Sequence, residues 1–251
     1  MNYKDIRDFF LFHKIKANDV IFIHGNAAVI SQMIGKNKNE KIKNFWQSFI
    51  KFFSNKGTVI VPTFSYSLTK KKIFNPKVSK SVLGLFSETF QKLKNTKRSY
   101  HPIFSVSYFG KLSKEIIGTS NETCFGKKSL FEFLHKKNAK ILCLGCSYNQ
   151  ITFVHYIEEM LKINYRYFKR FKGYHYYKNK KKIVETDYFV RDLSLKRSTL
   201  LNLKKLFSNL KNKKKYFDFP LGRIPAHSVS TNDLFFEAKK GIKKNKFFLI
   251  G

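Results

Sequence analysis

Negative charge is scarce in this chain. Sixteen acidic residues face 50 basic ones over 251 positions, a formal net charge of +34. A surface of that sign repels cationic ligands and attracts anionic ones. Cysteine is scarce too, with an odd count of 3, which excludes a disulfide framework. Cys143 and Cys146 make a lone CxxC with no second pair to complete a zinc site, so both read as small core residues and no metal is expected. No apolar run reaches the roughly 18 residues of a spanning helix. The N-terminus, MNYKDIRDFF, carries charge where a signal peptide is apolar. Together these absences predict a cytoplasmic protein without a membrane span. Walker A, GxGxxG and GxSxG patterns are also missing, so triphosphate, dinucleotide and nucleophile-elbow hydrolase chemistry lack a signature.

The basic excess raises a nucleic-acid reading, which its composition weakens. Lysine supplies 43 of the 50 basic residues, whereas arginine is favoured for bidentate phosphate contacts. The lysines are spread along the chain in runs such as KNKNEKIKN, TKKKIF and LKNKKKY. Solvated lysine is their plainest meaning, and no specific nucleic-acid partner is expected. With 43% hydrophobic and 17% aromatic residues, the chain has ample material for a packed core.

Apolar runs and periodicity give the architecture. Residues 2–16 read as an amphipathic helix, and VIFIHG (20–25) as a strand covered on both faces. A short helix runs to Ile34, and a second covers 41–53 and closes at Asn55-Lys56-Gly57. TVIVPTFSYS is another buried strand, 66–82 a lysine-rich loop, and 84–94 a helix. IFSVSYFG (103–110) is strand-like, with short helices near 111–117 and 129–134. Residues 165–192 alternate aromatic and basic side chains about a turn at 178–181, as two antiparallel strands do. Residues 200–210 and 233–240 suit helices, and the terminal FFLI a last strand. The pattern predicts one α/β domain over 1–251. It is a layered αβα arrangement with a central mixed, largely parallel sheet and an antiparallel extension in the C-terminal part.

The stretch Ile141–Glu159, ILCLGCSYNQITFVHYIEE, concentrates the chemistry. A buried strand breaks at Gly145, a polar turn follows, and a helix then carries His155 and Glu158 three residues apart on one face. A satisfied, partly buried histidine beside a surface carboxylate explains that pair as well as catalysis does. Three strand exits carry polar residues: His24-Gly25-Asn26, Thr63-Phe64-Ser65 and Ser147-Tyr148-Asn149. If those strands are parallel, the exits share one edge, where open α/β sheets hold ligands. His24 and His101 adjoin turns and read as hydrogen-bonded to backbone. The aromatic-basic stretch 165–177 has the makings of a base-stacking surface, but a strand with one buried face explains it more simply.

Five blocks, VIFIHGN, GTVIVPTFS, KRSYHPIFSVSYFG, ILCLGCSYNQITFVHYIEE and GRIPAHSVSTNDLFFEAKKG, resemble the aminoglycoside 3-N-acetyltransferase family in order and spacing across nearly the whole chain. The resemblance implies acyl transfer from a coenzyme A thioester, probed first as acetyl-CoA, to an amine on a sugar. It makes His155 the base, with Asp192 as the carboxylate that orients it and Glu158 as the other candidate. It implies a cofactor side formed by His24, Gly25, Asn26, Thr63, Ser65, Lys97, Arg98, His101 and Ser105, with N–H groups near Gly25 and Asn26 as oxyanion donors. The acceptor would lie against Tyr148, Asn149, Thr152, Tyr165 and Arg166. The block YRYFKRFK suits an anionic acceptor, such as a nucleotide-linked amino sugar of surface-polysaccharide synthesis. An aminoglycoside acceptor, with antibiotic resistance as the outcome, is the alternative, and nucleic-acid binding a more distant one. A homodimer is left open.

Overall fold

The computed structural model describes residues 1–54 and 56–251. Asn55, placed by the sequence in the turn after the second long helix, lies outside the described residues. In chain order the first elements are α1 (Tyr3–Phe12), β1 (Val20–Gly25), α2 (Ala28–Ser31), α3 (Lys38–Phe53) and β2 (Thr58–Pro62). Next come α4 (Leu85–Gln91), β3 (Lys97–Arg98), β4 (Val106–Gly110), α5 (Ser113–Ile117), α6 (Leu130–Lys136) and β5 (Lys140–Leu144). The remainder holds α7 (Phe153–Met160), β6 (Arg166–Tyr177), β7 (Lys180–Arg191), α8 (Lys204–Asn212), β8 (Tyr216–Asp218), β9 (Ala226–Ser230) and α9 (Thr231–Lys244).

Seven strands form one mixed sheet in the order β3-β4-β2-β1-β5-β9-β8. β1 pairs in parallel with β2 and with β5, so the centre is parallel. β4, β3, β9 and β8 add antiparallel margins. The parallel trio carries the apolar runs because helices cover both of its faces. Alternation along each strand divides the core in two. Ile21, Ile23, Val59, Val61, Leu142 and Leu144 face α1, α3 and α4, where Phe10, Trp46, Phe49 and Phe86 are buried. Val20, Phe22, Ile60, Ile141 and Cys143 face the other way, toward Phe131, Ile157, Leu206 and Leu234 of α6, α7, α8 and α9. Each such aromatic or leucine contributes about 1.5–3 kcal/mol on full burial.

Capping agrees with the helix starts. The Asn2 side chain accepts from Lys4 N–H and Asp5 N–H, and the Asp5 carboxylate accepts from Asn2 N–H, which closes a capping box ahead of α1. The predicted antiparallel extension is the separate two-stranded ribbon β6–β7. Lys178 and Asn179 both have positive φ at its turn, as a two-residue hairpin turn with the strands' own twist requires.

Three elements differ from the sequence expectation. FFLI is not a strand: Leu249 is buried, and only Ile250 makes a bridge, to Leu201, so the run fills core without a ladder. The helix expected from 200 begins at Lys204, after Asn149 Oδ1 has accepted the Leu203 N–H and fixed the preceding segment. β9, which the sequence reading passed over, is fully buried although its sequence AHSVS alternates polar and apolar residues. Its polar side chains find partners inside: His13 Nδ1 lies 2.9 Å from Ser228 Oγ. No helix among the described residues is long and apolar enough to cross a membrane.

Candidate active site

Because β1, β2 and β5 are parallel, their three polar exits do share one edge. A cavity of about 620 Å³ opens there, walled by His24–Ala27, Pro62, Phe64, Tyr66, the segment 83–87, Phe104, Gly145, Cys146 and Asn149, and closed at one end by Thr152 and His155. Glycine is required at position 25, where a Cβ would fall 2.5 Å from the Phe86 ring. A second cavity, about 650 Å³, lies between α7 and the β6–β7 ribbon and is lined by Arg166, Val190, Arg191, Leu193, Leu200 and Leu201. Asn149, His155 and Tyr188 line both. A smaller hollow of about 340 Å³ shares Ala27 and Leu85 with the first and carries Lys36, Lys38 and Lys41.

α7 presents the pair at the junction. Phe153, Val154, Tyr156 and Ile157 bury its apolar face, which leaves His155 and Glu158 together on the face one turn apart. His155 Nδ1 lies 2.7 Å from Glu158 Oε2. Glu158 is wholly buried, and Arg166 from the start of β6 sets its Nε 2.8 Å from the same oxygen, an ion pair without hydrogen-bond alignment. Arg166 Nη2 also approaches His155 Nδ1 to 3.0 Å, and its Nη1 donates to Phe189 O. Nδ1 has one bonding position, and the ionised carboxylate claims it more strongly than the guanidinium does. The hydrogen therefore sits on Nδ1 and points at Glu158, and the free lone pair sits on Nε2.

The electrostatics keep that lone pair free. Burial lowers the His155 pKa below its ordinary 6.5; Glu158 opposes the shift, and Arg166 and Arg191 add to it. Burial alone would raise the Glu158 carboxyl, yet its bond to His155 and the Arg166 charge hold it below the usual carboxylate value. At neutral pH the arrangement is an ionised carboxylate, a neutral imidazole and a guanidinium, a set able to take a proton from a weakly acidic donor.

Asp192 stands elsewhere. Its carboxylate accepts from Ser194 N–H and Ser194 Oγ–H at the exposed end of β7, so the expected orienting role falls on Glu158 in this geometry. Residues expected on the cofactor side divide. His24, Gly25 and Asn26 line the first cavity, whereas Thr63, Ser65, Lys97, Arg98, His101 and Ser105 do not. Pleating explains the first two, since Pro62, Phe64 and Tyr66 are the residues of that segment that reach the wall.

Arg98 is a buried structural cation. It donates to Ser105 Oγ, Thr63 O and Ser79 O with no carboxylate beside it, and burial lowers its pKa to about 10. Ser105 Oγ in turn donates to Thr63 O, and Ser65 Oγ to Pro102 O. His101 Nδ1 accepts the N–H groups of Ile103 and Phe104, and its Nε2 donates to Thr123 O. That is the backbone bonding expected of it. His24 departs from the same expectation: its Nε2 is buried with no partner, and burial lowers its pKa to about 4.

The Asn26 N–H donates to Leu144 O and is not free for an oxyanion. Among residues expected to meet the acceptor, Asn149 and Thr152 line cavity wall and Arg166 pairs with Glu158. Tyr148 instead stacks on Phe207 at 4.7 Å, and Tyr165 is entirely buried in the core. Cys143 is buried as expected, but Cys146 lines the first cavity, and its bond to Cys143 lowers its pKa. Tyr66, Tyr188, Arg191 and the lysines at 36, 38 and 41 are site residues that sequence reasoning missed. A lysine in an asparagine-rich loop gives no signal apart from its neighbours, and Tyr188 and Arg191 sit in a ribbon whose register the sequence does not reveal. Among the described residues, no group of three or more His, Cys, Asp or Glu is placed to hold a metal.

Comparison with known proteins agrees with this geometry. The family model described as aminoglycoside 3-N-acetyltransferase matches residues 22–243. No curated protein matches the sequence. Among solved structures, AAC(3)-Xa superimposes with a TM-score of 0.81 at 13% identity, over 97% of this chain and 93% of that one. AAC-IIIb, solved as a binary complex with CoASH, gives 0.81 at 14% identity, over 97% of both chains. A mutant of AAC(3)-IVa in complex with apramycin gives 0.78 at 20% identity, over 99% of this chain and 94% of that one. At these identities the structural likeness is one of fold. The family match covers most of the chain, and the protein belongs to the aminoglycoside 3-N-acetyltransferase family.

Proposed function

We propose that this chain transfers the acetyl group of acetyl-CoA to the amine of an amino sugar, with His155 as general base and Glu158 as the carboxylate that orients it. The observation that carries the reading is the His155–Glu158 contact of 2.7 Å, set where two cavities meet. For the acceptor, the family match and the neighbours support an aminoglycoside rather than the nucleotide-linked sugar suggested by the sequence. No observation supports a place in polysaccharide synthesis.

The first cavity suits the thioester co-substrate. Phe64, Phe86, Phe104, Leu83 and Leu85 give apolar wall for a pantetheine arm, and Asn26 and Gln150 bring amides to its polar groups. His24 Nε2 is an orphaned buried atom at that wall, where an amide of the arm would supply a partner. The adjoining hollow offers Lys36, Lys38 and Lys41 to the phosphates, in place of Lys97 and Arg98. The second cavity then receives the acceptor.

Chemistry follows from the free lone pair. The acceptor nitrogen attacks the thioester carbonyl carbon while Nε2 of His155 takes its proton. Glu158 stabilises the imidazolium so formed. As the C–N bond forms, the C–S bond breaks, and the imidazolium returns the proton to the departing sulfur. The products are an N-acetyl sugar and the free thiol, with His155 neutral again. Charge on the carbonyl oxygen needs a donor, and Asn149 is placed to give one. Its Oδ1 accepts from Leu203 N–H, which leaves the amide hydrogens for the cavities it lines.

Thiol release from acetyl-CoA, followed with a panel of amino sugars, tests the reading. Acetyl transfer that His155→Ala lowers by about 10²–10⁴, with acetyl-CoA binding retained, is the expected result. A His155→Ala variant that keeps its rate would refute the role of His155.

A further inference from the structure

The second cavity has the wrong charge for a polycation. Two arginines line it, Arg166 and Arg191, and no aspartate or glutamate does. The pair faces one another: Arg166 and Arg191 are register partners across the β6–β7 ladder. Like charges directly opposite destabilise a strand pair. Glu158 neutralises Arg166, but Arg191 makes no ion pair and no side-chain hydrogen bond among the described residues. The ribbon's other acids are spent further along it, Asp187 on Arg170 and Glu185 on Lys172. Asp192, the next residue, is turned to Ser194.

An unpaired cation kept opposite another, on the wall of a cavity that His155 also lines, has a simple use as a receiver of negative charge. Resting on the acetyl transfer proposed above, we infer that the acceptor sugar of this chain carries an anionic group, a phosphate or a carboxylate, that Arg191 binds. Lys36, Lys38 and Lys41 supply cations for the coenzyme phosphates at the other end of the first cavity, which leaves Arg191 to the acceptor. Leu193, Leu200 and Leu201 complete the rim and suit a weakly hydroxylated face of the same sugar. Arg191 is thus a specificity residue, and it sets this chain against highly cationic acceptors.

The test compares kcat/KM for four acceptors at saturating acetyl-CoA: glucosamine, glucosamine 6-phosphate, 2-amino-2-deoxyglucuronic acid and apramycin. The expected result is that at least one anionic sugar exceeds both glucosamine and apramycin by about tenfold or more; which one does so tells phosphate from carboxylate. Arg191→Gln removes that advantage through the acceptor KM and leaves the acetyl-CoA KM unchanged. Arg191→Glu reverses the order in favour of apramycin. Neither substitution lowers the Tm, because each relieves the opposition to Arg166. Preference of the parent chain for apramycin overturns the inference and leaves acetyl transfer standing. A change confined to the acetyl-CoA KM overturns it too, by giving Arg191 to the coenzyme. Failure to acetylate any of the four overturns the inference together with the reading it rests on.

Discussion

Glu158→Gln is the sharpest probe of the site, because it removes one charge from a buried trio and barely changes volume. In the wild type, the carboxylate oxygen sits 2.7 Å from His155 Nδ1 and 2.8 Å from Arg166 Nε. At an effective dielectric of about 20, its attraction to the guanidinium at that distance is about 6 kcal/mol before desolvation is counted. Removing one member of such a buried pair leaves the other uncompensated, at a net cost of about 3–5 kcal/mol. Stability should therefore fall by that amount in a denaturant titration.

Activity should fall further than stability explains. A glutamine still accepts from Nδ1–H, so tautomer and ring position survive in part. The imidazolium loses its counter-charge while Arg166 and Arg191 remain, so kcat should drop by about 10²–10³ at saturating substrates. The pH profile isolates the cause. Wild-type kcat/KM for the acceptor rises with pH through the His155 pKa, which lies below 6.5. Glu158 is the group that raises this pKa, so its removal moves the acid limb to lower pH. An acid limb that moves upward, or a kcat loss below about tenfold in a folded variant, would refute the coupling of Glu158 to the base.

Asp192→Asn should leave kcat and both KM values within about twofold of wild type, since its carboxylate serves Ser194. Replacing Lys36, Lys38 and Lys41 together with alanine should raise the acetyl-CoA KM by tenfold or more, on the order of 0.5–1 kcal/mol per exposed charge, with a salt dependence that weakens in the variant. Acid should unfold the chain early. His101 and His227 are buried with pKa values near 4 against an ordinary 6.5. Depressed values mean that their contribution is complete above pH 6.5 and is lost as the pH falls toward 4. Each should remove about 2 kcal/mol of stability between about pH 7 and pH 5, measurable by urea titration at the two values. Equal midpoints at both would show that these histidines are not buried neutral.

The parallel centre of the sheet was legible because both of its faces are covered, which forces apolar runs such as VIFI and ILCL into the sequence. The margins were harder to read. β9 is as buried as β1, yet AHSVS satisfies its polar side chains internally and so imitates a solvent-facing strand. FFLI misleads in the opposite sense, being apolar for packing and making no ladder beyond one bridge. Hydrophobic pattern reports which side chains leave water. It is silent on whether the backbone has found a partner strand.

The site was legible to the extent that one helix holds it. His155 and Glu158 are three residues apart, and helix geometry alone brings them together. Asp192, Arg166 and Arg191 belong to a ribbon, where a shift of one residue turns every side chain to the opposite face. The sequence places Asp192 and Arg191 side by side in VRD, and their roles are exchanged relative to the expectation drawn from it. Arg191 reaches the cavity of the base, and Asp192 reaches solvent and Ser194. The same parity separates Thr63 and Ser65 from Pro62, Phe64 and Tyr66 at the end of β2. A residue carried over by resemblance onto a strand is thus secure only when its register is known. On α7 a slip of one residue would move His155 by about 100° around the helix and would also strip Glu158 from its arginine, so the fully buried ion pair with Arg166 fixes the position of the base itself.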